Sequence, residues 1–217
     1  MICVSVDEQY DTNYLMNLDK TYIVEVRMDR MMLSGEDIVE IFSRPAAFIA
    51  TCRPGVLSDL RRKECLMAAI EAGATYVDVE VESESDYMRE IIGKAREKGC
   101  KVIVSFHDYE KTPSERRLKD IILLCFAEGA DIVKIACKAN SIIDGARLLG
   151  LLGYENYKGR LVVVGMGEKG RITRIVAPLL GSLFTYASHA EGRETAEGQI
   201  EKGRLENMMR LLNEWAQ

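Results

Sequence analysis

Short β-rich runs alternate with amphipathic helical stretches along the whole chain, and no other feature restricts its fold as strongly. Parallel strands need a crossover of helix length between them, so this rhythm predicts a parallel sheet with helices in its connections. The runs lie near residues 2–6, 22–27, 47–51, 76–81, 102–106, 131–136, 161–165 and 183–187; eight strands in such alternation predict an α/β fold closed as a (β/α)8 TIM barrel. Helices are predicted over 59–72 and 85–98, each followed by a glycine, from Thr112-Pro113 to 127, over 141–152 and over 200–215. The connection over 7–20 carries the weakest helical signal, a turn or two. At 217 residues the chain lies near the lower end for this barrel, whose usual size is ~250 residues, so compact loops are expected. A doubly wound open sheet is the structural alternative. Against it, the first strand is followed by neither GxGxxG nor a P-loop.

The 47% apolar content, with no membrane-length run, no linker and no internal repeat, predicts a single domain over 1–217. The start, Met1-Ile2-Cys3-Val4-Ser5-Val6, reads as a strand rather than a signal peptide, so a cytoplasmic protein is expected. Six dispersed cysteines without a CxxC pair fall mostly in apolar segments, where free cysteine acts as a small hydrophobe; neither zinc nor a disulfide framework is indicated. The formal charge of -5 is spread along the chain, which argues against a nucleic-acid surface and leaves recognition of a small anion to a few local arginines. The ten methionines read as core filling.

In a barrel of this kind the active site lies at the C-terminal ends of the strands, so polar residues late in apolar runs are the candidates. Lys134 stands out within Asp131-Ile132-Val133-Lys134-Ile135-Ala136. Burial disfavours its ammonium form and favours an amine able to attack a carbonyl. His107 ends the fifth strand, Glu25 and Arg27 the second, Arg53 the third, and Asp78 and Glu80 the fourth. Their i, i+2 spacing puts Glu25 with Arg27, and Asp78 with Glu80, on one face of each strand. A buried ion network that only plugs the barrel mouth would use the same residues, with Lys134 as partner of Asp78 or Glu80 and His107 as a satisfied core or loop imidazole. Their arrival together at one end favours a lysine nucleophile with a histidine acid/base. His189 is expected to be a solvent-exposed loop histidine. The segment Gly165-Met166-Gly167-Glu168-Lys169-Gly170 lacks nucleotide-loop spacing and reads as a tight turn presenting Arg171, Thr173 and Arg174 at a helix N-terminus, able to bind a carboxylate or phosphate.

Several segments then carry a resemblance: Val24-Glu25-Val26-Arg27-Met28-Asp29, Thr51-Cys52-Arg53, Tyr76-Val77-Asp78-Val79-Glu80, His107-Asp108-x3-Thr112-Pro113, Val133-Lys134-Ile135-Ala136, Met166-Gly167-Glu168-Lys169-Gly170-Arg171-Ile172-Thr173-Arg174, Leu180-Gly181-Ser182 and Gly198-Gln199-Ile200. Through them the chain resembles the type I 3-dehydroquinate dehydratases (3-dehydroquinases), Schiff-base enzymes of the shikimate pathway, along almost its whole length. The resemblance implies syn-elimination of water from 3-dehydroquinate to 3-dehydroshikimate, without metal or organic cofactor. It implies an imine on Lys134 and proton transfer by His107. Arg174 and Gln199 would hold the substrate carboxylate. Glu25, Arg27 and Arg53 would bind ring hydroxyls and order the site, and Asp78 and Glu80 would support the lysine or histidine from behind. Relatives of this kind are often homodimers.

Two departures stand against the pattern. Many relatives carry a glutamate four residues after the strand-three arginine, paired with the catalytic histidine; Leu57 occupies that spacing, so another carboxylate orients His107 or the function is absent. In the closing loop Glu197 replaces the usual proline, and Thr195 stands where many relatives have serine but keeps a hydroxyl for substrate binding. The alternatives are a class I aldolase or transaldolase-like barrel and a degenerate barrel that binds a shikimate-like metabolite without turnover.

Overall fold

The computed structural model describes residues 1–7 and 22–215. The weak helical signal over 7–20 lies, but for its first residue, outside the described residues. Eight strands, β1 (Ile2–Val6), β2 (Ile23–Arg27), β3 (Ala47–Thr51), β4 (Tyr76–Glu80), β5 (Lys101–Asp108), β6 (Ile132–Lys138), β7 (Leu161–Met166) and β8 (Thr185–Ser188), form one parallel sheet in the order β7-β6-β5-β4-β3-β2-β1-β8. The pairing of β8 with β1 curls the sheet into a nearly closed (β/α)8 barrel, and the open-sheet alternative falls. The connecting helices are α1 (Gly35–Phe42), α2 (Asp59–Ala72), α3 (Ser85–Lys98), α4 (Glu115–Ala127), α5 (Ile142–Gly150), α6 (Arg171–Val176) and α7 (Lys202–Trp215).

Several boundaries differ from the sequence expectation for identifiable reasons. Helix α1 was not anticipated: it is only eight residues long, too short for a strong periodic signal, and is fixed by a capping box between Ser34 and Asp37. Helix α4 begins after Pro113, because the Ser114 side chain accepts from Arg117 N; Thr112 stays outside the helix and donates to Lys138 O at 2.8 Å. Strand β5 runs on through His107 and Asp108, which pair with Ala136 and Cys137, so both residues belong to the ladder.

Alternation along the strands divides the sheet residues in two. One set, including Val4, Val26, Val79, Val104, Val133 and Val163, faces the helices in the main core. The other set forms the barrel interior, whose apolar floor is built from residues such as Ile23, Ile49, Ile103, Ile132, Val162 and Phe184. One step further along the same interior face stand Ser5, Glu25, Thr51, Asp78, Ser105 and Lys134, all buried. The period of two that hides the floor thus carries ionisable groups into the upper interior. The six cysteines are buried and unpaired, and burial pushes the Cys52, Cys100, Cys125 and Cys137 thiols up to about 12.

At the seam between β7 and β8 a side chain substitutes for part of a ladder. Leu183 N donates to Leu161 O at 2.8 Å, while the Ser182 hydroxyl accepts from Val163 N at 3.3 Å and donates to Phe184 O at 3.0 Å. Ser182→Ala leaves the fully buried Val163 N–H unpaired; a loss of about 1–3 kcal/mol in urea denaturation is expected, and no measurable loss would show that the seam closes without the hydroxyl.

Candidate active site

A cavity of about 270 Å³ opens at the C-terminal ends of the strands, with Lys134 at its base. Glu25, Arg27, Arg53, His107, Arg174, Thr195 and Gln199 also line it, so the residues expected to touch a substrate converge. Lys134 is 5% exposed, and its Nζ lies 3.2 Å from Glu25 Oε1, 3.1 Å from Asp78 Oδ2 and 4.1 Å from the centroid of the Tyr186 ring. Burial alone favours the neutral amine, and of the two carboxylates the sequence offers as partners Asp78 meets the lysine while Glu80 does not. The structure adds two carboxylates and an aromatic face, a setting that compensates a positive charge at Nζ.

The carboxylates are themselves held. Glu25 accepts from Ser5 Oγ at 2.8 Å and from Thr51 Oγ1 at 3.2 Å. Asp78 accepts from Arg53 Nη1 at 3.0 Å, from Arg53 Nη2 at 2.6 Å and from Ser105 Oγ at 2.6 Å. Burial would raise both carboxyls, but Lys134 and Arg27 hold Glu25 below its ordinary range, and Arg53 with Lys134 does the same for Asp78 more strongly. Asp78 and Glu80 do not line the cavity; both form ion pairs with Arg53, which does. Arg53 is more committed than expected for a residue facing a substrate, since its donors already meet Asp78, Glu80 and Ser105. Arg27 is gripped by Asp29 through two contacts of 3.0 and 2.7 Å.

His107 is half-buried and stacks on Tyr109 with ring centroids 5.9 Å apart. Burial, then the Arg53 and Lys134 charges, drives its pKa well below the ordinary imidazole value despite Asp78, so the ring is neutral at pH 7. Its Nδ1 is buried with no hydrogen-bond partner, and Leu57 packs against the main core. No carboxylate among the described residues takes the orienting role left open by Leu57.

Arg174 is 1% exposed and meets only carbonyls: Nη1 donates to Tyr186 O and Nη2 to Glu197 O, each at 3.3 Å, while Nε has no partner. Burial, then Arg171, lowers its pKa to about 10. A buried guanidinium with no carboxylate partner among the described residues is a prepared receptor for an anion. Thr195 and Gln199 are locked together: Gln199 Oε1 accepts from Thr195 N at 2.7 Å and Gln199 Nε2 donates to Thr195 Oγ1 at 3.0 Å. Glu197 forms an ion pair with Lys138 at the end of β6, tying their loop to the lysine strand.

Other expectations need correction. The glycines of the Gly165–Gly170 segment serve close backbone approach: a Cβ on Gly170 would lie 2.5 Å from Gly165 C. Thr173 closes that turn by accepting from Gly165 N and donating to Gly170 O, and Arg171 is exposed, so Arg174 alone of the three reaches the cavity. It comes from the fourth position of a six-residue helix, not from an N-terminal anion site. His189 is half-buried on the bend after β8 and does not line the cavity. Sequence reasoning missed Ser5, Tyr109, Lys138 and Tyr186 among the lining residues. Strand parity could have found Lys138, two pairs of residues after Lys134, and Tyr186, two residues after the buried Phe184.

Comparison with known proteins agrees with this architecture. Residues 2–215 match the family model described as Type I 3-dehydroquinase. The chain is similar to the 3-dehydroquinate dehydratase of Methanocaldococcus jannaschii, 33% identical over 224 residues that cover 98% of this chain and 99% of the relative. Among solved structures it is similar to the 3-dehydroquinate dehydratase from Aquifex aeolicus, with a TM-score of 0.79, 30% identity and coverage of 99% and 98% of the two chains. The fold is likewise that of the 3-dehydroquinate dehydratase from Geobacillus kaustophilus, with a TM-score of 0.84 at 22% identity, covering 100% of this chain and 92% of that one.

Asp78→Asn removes the carboxylate shared by Arg53 and Lys134. A buried pair broken from one side costs about 3–5 kcal/mol, readable in urea denaturation at pH 7. The sign of the pH effect follows from the lowered Asp78 carboxyl. Its contribution is complete above the unfolded aspartate range near pH ~4 and is lost as the pH falls through the lower folded value, so the variant should show a shallower acid-side loss of stability. Equal stability at pH 7 would mean that Asp78 is not needed to compensate the two cations.

Proposed function

The chain belongs to the type I 3-dehydroquinase family, a family of hydro-lyases, and we propose that it converts 3-dehydroquinate to 3-dehydroshikimate through an imine on Lys134. One observation carries this reading: a single cavity holds a buried lysine amine on paired carboxylates, a neutral imidazole and a buried guanidinium that has no carboxylate partner among the described residues.

In this mechanism the substrate carboxylate seats on Arg174, with Gln199 and Thr195 beside it, and replaces the missing counter-charge. Lys134 Nζ adds to the C3 ketone and water leaves, giving an iminium. The positive charge stays at Nζ, where Glu25 and Asp78 already lie, so the groups that hold the ammonium also stabilise the intermediate. The iminium withdraws electrons from C2, and neutral His107 takes the C2 proton to give an enamine. The enamine electrons then expel the C1 hydroxyl, which leaves as water with the proton His107 returns. Hydrolysis of the conjugated imine frees 3-dehydroshikimate and Lys134. Glu25, Arg27 and Arg53 order the ring hydroxyls. Asp78 and Glu80 hold Arg53 and the lysine from behind.

No metal or organic cofactor has a part in these steps. Family membership also supports placing the reaction in the shikimate route to aromatic amino acids, and a cytoplasmic homodimer of one barrel domain over 1–217. No helix among the described residues is long and apolar enough to cross a membrane.

Incubation with 3-dehydroquinate and borohydride should add a reduced adduct to Lys134, located by peptide mass, while enone absorbance rises in the reductant-free reaction. Lys134→Ala should lose the adduct and nearly all rate; His107→Ala should still be trapped as imine but turn over at least ~100-fold more slowly, the usual share of a general acid/base. Tight substrate binding with neither adduct nor enone would favour the non-catalytic binding protein. Arg174→Ala loses a charge-assisted contact to a group that does not react, worth about 1.5–3 kcal/mol, and should raise KM about 10- to 100-fold with a smaller change in kcat. An unchanged KM would place the carboxylate elsewhere.

A further inference from the structure

The ion network behind Lys134 does not stop at Glu80. Arg62, in the first turn of α2, is 4% exposed and does not line the cavity that holds the lysine. Its Nε donates to Cys52 O at 2.9 Å, Nη1 to Asp59 Oδ1 at 2.7 Å and Nη2 to Glu80 Oε2 at 2.9 Å, and the guanidinium lies 5.3 Å from the centroid of the Tyr87 ring. The other oxygen of Glu80 accepts from Arg53 Nη1, and Arg53 passes both Nη groups to Asp78. Asp78 Oδ2 then stands 2.6 Å from Arg53 Nη2 and 3.1 Å from Lys134 Nζ. Arg62, Glu80, Arg53, Asp78 and Lys134 therefore form a row of alternating charge, each in hydrogen-bond contact with the next.

We propose that Arg62 is a positioning residue for imine formation: by occupying Glu80 Oε2 it keeps Arg53 between Glu80 and Asp78, so that Asp78 is shared between Arg53 and Lys134. This inference rests on the Schiff-base reading above. Only an unprotonated amine attacks a carbonyl, and a carboxylate committed wholly to the amine nitrogen favours the protonated form over it. Asp78 makes its shorter contact with Arg53, which spends much of its charge on the guanidinium. Without Arg62, Glu80 turns both oxygens toward Arg53, draws it from Asp78, and leaves Asp78 to the lysine. The remaining groups around Lys134 cannot replace that balance. Glu25 on β2 adds negative charge, Cys3 on β1 and Tyr186 on β8 are kept neutral by burial, and His107 on β5 is neutral; β7 presents Val162 and Val164.

A purely structural Arg62, fastening α2 to β3 and β4, gives a different signature, because it lowers stability without changing how imine formation depends on pH. Single-turnover formation of the borohydride-trapped adduct on Lys134 should be followed from acid to alkaline pH in the wild type and in Arg62→Met. The loss of one cation from the row, which acts on Lys134 through three intervening side chains and not by direct contact, should move the pH of half-maximal imine formation up by about half a unit and slow it about threefold at pH 7. Arg62→Lys, which restores the charge, should recover at least half of that shift. If the methionine variant does not fold, Arg62→Gln, which keeps a donor and loses the charge, reads the same shift. A wild-type adduct together with superimposed pH profiles and only a lower Tm in the variants would overturn the positioning role. Absence of any adduct in the wild type would instead overturn the Schiff-base reading on which it stands.

Discussion

Taking an ammonium out of water costs several kcal/mol unless charge and hydrogen bonds inside the protein compensate it. Lys134 is placed inside a barrel whose floor is apolar, with Glu25 and Asp78 at hydrogen-bond distance. Those two carboxylates are in turn buried, so each needs its own partners: Ser5 and Thr51 for Glu25, Arg53 and Ser105 for Asp78. One buried cation thus dictates the identity of side chains on β1 to β5. Removing a link leaves an uncompensated charge, which is why the upper interior is a connected network and not a set of separate pairs.

The same network sets the chemistry. Burial, helped by positive charge from Arg53 and Lys134, keeps His107 neutral, in the form able to accept a proton. The carboxylates that accommodate an ammonium also accommodate an iminium, so forming the intermediate asks for little rearrangement. Among the described residues Arg174 has carbonyl partners alone, and in the proposed mechanism an anionic substrate completes its electrostatics. The loop that carries Thr195 and Gln199 is joined to the lysine strand by the Lys138–Glu197 ion pair, an exposed contact in the place where the sequence departs from the proline of many relatives. Because Glu197 also lends its carbonyl to Arg174, the position of that loop and the presentation of the guanidinium are linked.

Much of this was legible in the sequence because it depends on parity. Strands with a period of two place Glu25 with Arg27, and Asp78 with Glu80, on the interior face, and Lys134 in an aliphatic strand has no other way to be accommodated. Partner identity was less legible. Whether Arg53 would face a substrate or bind Asp78 and Glu80 depends on which strands are neighbours and on their stagger, which single-strand patterns do not encode. The glycines at Gly165 and Gly170 looked like an anion-binding turn, but their purpose is backbone contact across a gap too narrow for a Cβ. Helix α1 escaped notice because eight residues give too little periodicity, although Ser34 and Asp37 carry the capping signal. Arg62 lies within the helix expected over 59–72, and its contact with Glu80 depends on tertiary placement alone.

The structure of the protein after borohydride reduction with 3-dehydroquinate tests the central claim most directly. A carbon–nitrogen bond at Lys134 Nζ, with the nitrogen still in contact with Glu25 and Asp78 and the ligand carboxylate on Arg174, is the expected result. An adduct on Lys138, which lines the same cavity, or a carboxylate bound away from Arg174, would contradict it.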